Sequence, residues 1–394
     1  MSPGPLAGIR VVDFGRFIAG PYCSMLLADM GADVIRVDRR QGSEDRYIGP
    51  VASGIGGHYL SLNRNKRSLT LDVSKPGSAD VIERLARRAD VIIANLPIAV
   101  LKKMRIDFDS LKAIKPDIIL AQISTFGPDG PYAGRLGFDA IAQAMSGAMS
   151  LSGFPGMPMR SIVPFEDFGT ALHTAFGVMV ALYSRAQTGC GQIVDASLLS
   201  TAVTFMQPLL AERSVGMAER EPIGNGGLYS APTDTYRTKD GWIIVQTIGN
   251  DMFARWARLV GREELIDDPE FGDDTLRQAH RKPLDEAMDS WLATRTCAEA
   301  LAQLEAARVP AGPVLGVDAV LGDPQVKARA LLHLVDYPGV DQPVPLASTP
   351  VRLSGTPGEI RHRAPTPGEH TDAILGELGY STADIADLHA AGVV

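Results

Sequence analysis

Apolar residues in the first 125 positions come in short β-branched runs: 10–14 (RVVDF), 33–38 (DVIRVD), 68–73 (SLTLDV), 91–96 (VIIANL) and 118–123 (IILAQI). Helix-like segments at about 21–30, 78–88 and 107–114 lie between them. Strands alternating with helices predict a parallel sheet covered on both faces. Such sheets take ligands at the carboxyl ends of their strands. The turn after the first run reads DFGRFIAGP (13–21) and holds no GxGxxG. A nicotinamide enzyme is therefore poorly supported.

An apolar helix is predicted over 138–151, then a Gly/Pro/Met-rich loop at 152–160, then a long helix from about 168 to 186 that is apolar almost all round. A helix of that kind needs cover on every side, as the centre of a domain or a large oligomer contact. TGCGQ (188–192) ends it, and another buried element is expected to follow. Past residue 211 the pattern changes. Loop-rich sequence (212–234) leads to a hairpin at TYRTKDGWIIVQT, with Asp240-Gly241 as its turn. Amphipathic helices follow at about 251–261, 275–294 and 297–307, which predicts a second, smaller α/β domain. Residues 310–365 read as a returning connection. The tail 369–391 is helical again, with Ser381 and Thr382 as candidate caps.

A length of 394 residues favours two domains, and 45% apolar with 21% charged residues excludes dominant disorder. The net charge of −8 argues against a nucleic-acid partner but leaves room for a local basic pocket. Cys23, Cys190 and Cys297 contain no CxxC pair and read as reduced packing thiols, with neither a disulfide framework nor a metal site expected. The amino terminus lacks the pattern of a signal peptide. No apolar run reaches the ~20 residues of a membrane helix. These features point to the cytoplasm.

Several strings together resemble the family III CoA-transferases, the family of formyl-CoA transferase, carnitine CoA-transferase and, as a divergent branch, alpha-methylacyl-CoA racemase. They are GIRVVDFGRFIAGPYCSMLLADMGADVIRVDRR (8–40), NRNKRSLTLDV (63–73), GFDAIAQAMSGAMSLSG (137–153), EDFGTALH (166–173), TGCGQIVDASLL (188–199) and GEHTDAILGELGY (368–380). The resemblance implies a Rossmann-like large domain over 1–211, completed by about 330–394. It implies a small domain over 225–325, linkers at about 212–224 and 326–345, and a homodimer of interlocked rings. It also implies that coenzyme A and acyl-CoA enter as substrates, with no tightly bound cofactor, and that CoA passes to a small carboxylic acid, with succinyl-CoA as the candidate donor.

On the residues alone, Asp167 in PFEDFG reads as a helix N-cap. The resemblance makes it the nucleophile. A carboxylate that attacks a thioester carbonyl forms a mixed anhydride and releases CoA thiolate. The thiolate then converts the aspartyl carbonyl to an enzyme-bound thioester, and an incoming acid reverses both steps. With a reference pKa of about 3.9, Asp167 is expected to be ionised without a helper base. Backbone N–H groups, candidates being Gly169 and Gly226-Gly227, would stabilise the oxyanion. Glu166 is expected to be a polar neighbour. The alternative, a 2-methylacyl-CoA racemase, needs two acid-base groups. The racemase branch has a histidine where this chain has Phe138, which carries no proton. Asp139 reads as a structural hydrogen-bond partner and His173 as a core histidine.

Matched position by position, the resemblance places CoA along Ile18, Ala19, Arg39, Leu71 in the third strand, Asn95, Leu96, Lys103 and Gly137. The chain departs from the family at Asn95-Leu96-Pro97-Ile98-Ala99 and at Arg105, a position often held by glycine, so Lys102 or Arg105 could share the phosphate contacts. Arg46, His58 and Tyr229 are guesses for a second carboxylate.

Overall fold

The computed structural model describes residues 4–52 and 54–394, which divide into two units. The larger comprises 4–146, 161–207 and 324–394; the smaller comprises 147–160 and 208–323.

The larger unit is built on a six-stranded parallel sheet: β1 (Arg10–Asp13), β2 (Asp33–Asp38), β3 (Lys66–Thr70), β4 (Val91–Ala94), β5 (Ile119–Ser124) and β6 (Ile193–Ser197), in the order β6-β5-β4-β1-β2-β3. The chain runs outward from β1 through β2 to β3, then returns to β4 and runs the other way. The crevice between the carboxyl ends of β1 and β4 is therefore the point where strand order reverses. The main helices are α1 (Ala19–Asp29), α2 (Ser78–Arg88), α3 (Asp139–Met145), α4 (Phe165–Thr188) and α5 (Leu198–Ser214). One sheet face packs on α2, whose Val81, Ile82 and Leu85 meet Val12, Leu69 and Ile92. The other packs on α1 and α4 through Cys23, Leu27, Ala171 and Val178. Among the described residues no helix is long and apolar enough to cross a membrane.

The third strand starts two residues before its apolar run and ends at Thr70, so Leu71 lies just beyond it. Its first residue, Lys66, is polar yet fully buried, because its ammonium bonds Asp13 at 3.0 Å, Asn63 at 2.8 Å and the Pro21 carbonyl at 2.9 Å. The expected helix 138–151 is two short helices, divided at Gly147, which takes φ 93°. The expected helix 275–294 likewise splits into Asp274–Ala279 and Arg281–Leu292. Pro283 lacks the N–H that a continuous helix would donate to the Ala279 carbonyl. Helix α4 differs from expectation in its cover: Leu172, Phe176, Met179, Val180 and Tyr183 are exposed in the single chain, Phe176 by 72%. It is not the centre of a domain, and α5 beyond it is mostly exposed too.

The smaller unit holds an antiparallel sheet of β7 (Thr233–Arg237), β8 (Trp242–Gln246) and β9 (Ala311–Pro313), with helices Asn250–Val260, Arg281–Leu292 and Cys297–Ala306 packed around Trp256, Ile243 and Leu292. The turn between β7 and β8 includes Asp240-Gly241, as the sequence suggested.

The returning chain is locked to the larger unit by one carboxylate. Asp29, fully buried at the end of α1, accepts Arg64 at 2.7 Å, Asn65 at 2.8 Å and Thr349 at 2.7 Å. Asn65 in turn accepts the backbone N–H groups of Arg361 and His362. The tail helices then dock beside β3, where Thr371 accepts the Thr70 N–H, and Ser381 forms a capping box with Asp384. Asp29→Ala would strand the Arg64 guanidinium without its ion pair. The expected loss is about 3–5 kcal/mol, read as a lower urea midpoint with earlier proteolysis around 349–362.

Candidate functional site

The segment before α3 is pressed onto the carboxyl end of β5: a side chain at Gly137 would come within 2.6 Å of Thr125. Glycine is required there by close approach. The next residues carry the site. Phe138 packs edge-on against Phe17 of the first turn, with centroids 5.4 Å apart. Asp139 is buried and points across to α4, where its Oδ2 accepts the N–H groups of Glu166 at 2.8 Å and Asp167 at 3.1 Å.

This contact changes the reading of Asp167. It is the third residue of α4, not its cap; the residue before the helix, Pro164, offers no side-chain cap. Asp139 supplies the capping carboxylate from another helix, meeting both the free donors and the positive end of the helix dipole. Gln143, one turn along α3, donates to Asp139 Oδ1 and accepts the Ser161 N–H at 2.9 Å. Asp139 is thus the structural hydrogen-bond partner expected of it.

Asp167 keeps its own carboxylate free of hydrogen bonds among the described residues. Burial first, then the charge of Asp139, pushes its pKa up to about 7. The expectation of an ordinary, fully ionised carboxylate is corrected: near neutrality Asp167 is part protonated. Glu166 is more than a polar neighbour. Its side chain is fully buried, neither oxygen has a partner among the described residues, and burial, Asp139 and Asp167 raise its pKa to about 7 as well.

The helix start has no N–H to spare for an oxyanion, since Phe165 and Phe168 donate to Val163 and Pro164. Gly169 is not a donor site either; it lies within α4, and a side chain there would meet the Phe205 ring at 2.6 Å. The Gly226 and Gly227 N–H groups bond Ile223 and Thr233 within the smaller unit. His173 is exposed, not in the core, and contacts Thr201 at 3.1 Å.

The residues expected along CoA fall at the carboxyl edge of the sheet or on the helix after β4. Ile18 and Ala19 open α1 and are buried. Arg39 follows β2 with an exposed side chain 3.6 Å from Glu44. Leu71 has its side chain in the core, and Leu96 is partly buried against that core. Lys103, like Lys102, is exposed on the helix Ile98–Met104, which Arg105 ends at φ 57°, the left-handed conformation that suits glycine. Asn95 bonds the first turn twice, accepting the Arg16 N–H and donating to the Arg16 carbonyl, both at 2.7 Å. Of the guesses for a second carboxylate, Arg46 is buried and paired with Asp38 at 3.0 Å, Tyr229 belongs to the smaller unit, and His58 is exposed. Sequence reasoning missed Gln143, Asn95's clamp and Arg16. Only the i, i+4 spacing of Asp139 and Gln143 was a usable signal.

The family model described as CoA-transferase family III matches residues 6–371. This chain belongs to CoA-transferase family III. The transferase is 35% identical to the succinyl-CoA–L-malate CoA-transferase beta subunit of Chloroflexus aurantiacus, covering 99% of this chain and 98% of the relative. It is 36% identical to the succinate–glutarate CoA-transferase of Agrobacterium fabrum, covering 95% and 96%. Its fold matches the crystal structure of a CAIB/BAIF family protein from Brucella suis with a TM-score of 0.85 and 34% identity, over 96% of this chain and 100% of that one. The enzyme is a CoA-transferase, and racemisation is not favoured.

Two predictions follow from the carboxylate cluster. A carboxylate that reacts from position 167 with a pKa of about 7 would become more active as pH rises through 7. In Asp139→Asn the amide oxygen still caps α4 but the like charge is gone, so the inflection of kcat/KM is expected to move below 7, part way only because burial remains. An unmoved inflection would show that Asp139's charge is not its cause. Between the ordinary value of 4.5 and about 7, the folded protein holds a proton on Glu166 that the unfolded chain has lost, so stability falls as pH rises. Glu166→Gln removes that contribution; its unfolding midpoint is expected to fall less steeply across this window.

Proposed function

We propose that this CoA-transferase exchanges CoA between succinyl-CoA and a second dicarboxylic acid, with Asp167 as the nucleophile. The observation that carries the proposal is a carboxylate fixed by its backbone to Asp139 yet free of hydrogen bonds itself. Malate, glutarate and succinate in the relatives' names supply the substrate class. Asp167 attacks the succinyl thioester carbonyl, giving the mixed anhydride and CoA thiolate. The thiolate attacks the aspartyl carbonyl, succinate leaves and an aspartyl-CoA thioester forms; the acceptor carboxylate then attacks that thioester, giving a second anhydride and freeing CoA thiolate again. CoA thiolate then attacks the acceptor's carbonyl, releasing Asp167 as carboxylate. Each acyl bond broken is matched by one formed, so no outside energy source enters.

In this reading CoA lies along Ile18, Ala19, Arg39, Leu71, Asn95, Leu96, Lys103 and Gly137. The larger unit is the Rossmann-like domain and the smaller unit the small domain of this reading, and two chains form an interlocked homodimer. The uncovered apolar face of α4 supports that assembly. The three free cysteines suit the cytoplasm.

Asp167→Asn is expected to keep the fold and lower kcat on the order of 10⁴-fold, measured as succinyl-CoA turnover with glutarate or malate. Full activity in that variant would place the nucleophile elsewhere.

A further inference from the structure

The turn after β1 holds a buried arginine that makes no ion pair among the described residues. Arg16 is 9% exposed. Its backbone is fixed on both sides. Asp13 accepts the Gly15 N–H at 2.7 Å, Asn95 holds Arg16 through two bonds, and Phe17 is kept at φ 62° against Phe138. A bulky residue in that region is strained, and such strain gathers where function sets the geometry.

The guanidinium donates only through Nη1, to the carbonyls of Phe14 at 3.1 Å and Gly15 at 2.8 Å. Among the described residues no carboxylate pairs with it, and its Nε and Nη2 have no partner. The fully buried arginines differ. Arg36 pairs with Asp38 and Asp45, Arg46 with Asp38, Arg64 with Asp29, and Arg277 with Asp274. Neither free nitrogen of Arg16 is sealed from solvent. Burial, then the neighbouring Arg36, lowers the Arg16 pKa against a smaller opposing pull from Asp38, Asp45 and Asp13.

The unmatched edge, Nε with Nη2, is the edge that takes a planar carboxylate through two parallel bonds. Arg16 lies in the turn after β1, at the crevice where strand order reverses. Its neighbour Phe17 touches Phe138, the residue before Asp139, and Asp139 bonds the Asp167 N–H. We propose that Arg16 binds the distal carboxylate of the dicarboxylic substrate while the other carboxyl carbon reacts at Asp167. The inference rests on the dicarboxylate reading above and extends it. Succinyl-CoA and its acceptor each carry a second carboxylate, so one fixed cation serves both halves of the exchange.

The test compares wild type, Arg16→Gln and Arg16→Lys as whole proteins. One substrate pair is succinyl-CoA with glutarate; the other is butyryl-CoA with propionate, which lacks the second charge. CoA affinity is measured by calorimetry. Arg16→Gln is expected to lower kcat/KM for the dicarboxylate pair roughly 100-fold, leave the monocarboxylate pair unchanged or faster, and leave CoA affinity within about twofold. Arg16→Lys is expected to recover part of the loss, as a point charge without the fork. Equal losses on both pairs, or a drop in CoA affinity that would assign Arg16 to a phosphate, overturns the inference. Wild-type protein inactive on succinyl-CoA with any dicarboxylate sinks the substrate reading, and the inference with it. Should Arg16→Gln not fold, the wild type decides: succinate is expected to raise its melting temperature more than butyrate does, and equal shifts count against the inference.

Discussion

The site depends on one carboxylate reaching across from one helix to the start of another. Asp139 lies on a short helix held by Gly137's close approach to Thr125, and it supplies the cap that Pro164 cannot. Because its Oδ2 takes the N–H groups of Glu166 and Asp167, the backbone of Asp167 is anchored while its side chain makes no hydrogen bond among the described residues. Burial first, and then the same charge, raises the pKa of that side chain to about 7. The contact that positions Asp167 therefore also adds to the rise of its pKa.

A second set of buried charges holds the strand ends around this contact. Asp13 joins Gly15, Ser24 and Lys66 at the end of β1, and Asp38 joins Arg36, Arg46 and Ser43 at the end of β2. Lys66 has its pKa lowered to about 8, burial outweighing the pull of Asp13. Nearly every cation in this region has its counter-ion, and that makes Arg16 stand apart. Pairs of this kind add little net stability against an apolar core, but they fix geometry because each half is costly to leave alone. Asn95 completes the frame by joining the loops on either side of the crevice.

Local pattern was enough to read much of the fold. Helix α2 has the limits its periodicity suggested: Gly77, at φ 92°, starts it, and its apolar residues recur on one face. Strands β1 to β5 were legible as apolar runs; the edge strand β6, largely exposed, was read only as a buried element. Errors arose where tertiary contacts override local preference. Lys66 looked too polar to belong to a strand, and the helix Ile98–Met104 was hidden by Pro97 and its own shortness. The apolar girth of α4 indicated burial, yet one face of it is bare in the single chain. Within the site, Asp167 was marked by resemblance, whereas its surroundings were not. Asp139 lies 28 residues from Asp167, and Arg16 lies 79 from Asn95. Contacts at such separations leave no local signature.

The nucleophilic role of Asp167 is tested most directly by chemical trapping of the acyl-enzyme. The enzyme is mixed with succinyl-CoA without acceptor, quenched with hydroxylamine, digested, and the peptide carrying Glu166 and Asp167 is sequenced by tandem mass spectrometry. The expected result is a hydroxamate on Asp167 that is absent without succinyl-CoA and absent from Asp167→Asn. A hydroxamate on Glu166 or Asp139 instead, or none on any of the three while turnover proceeds, would contradict it.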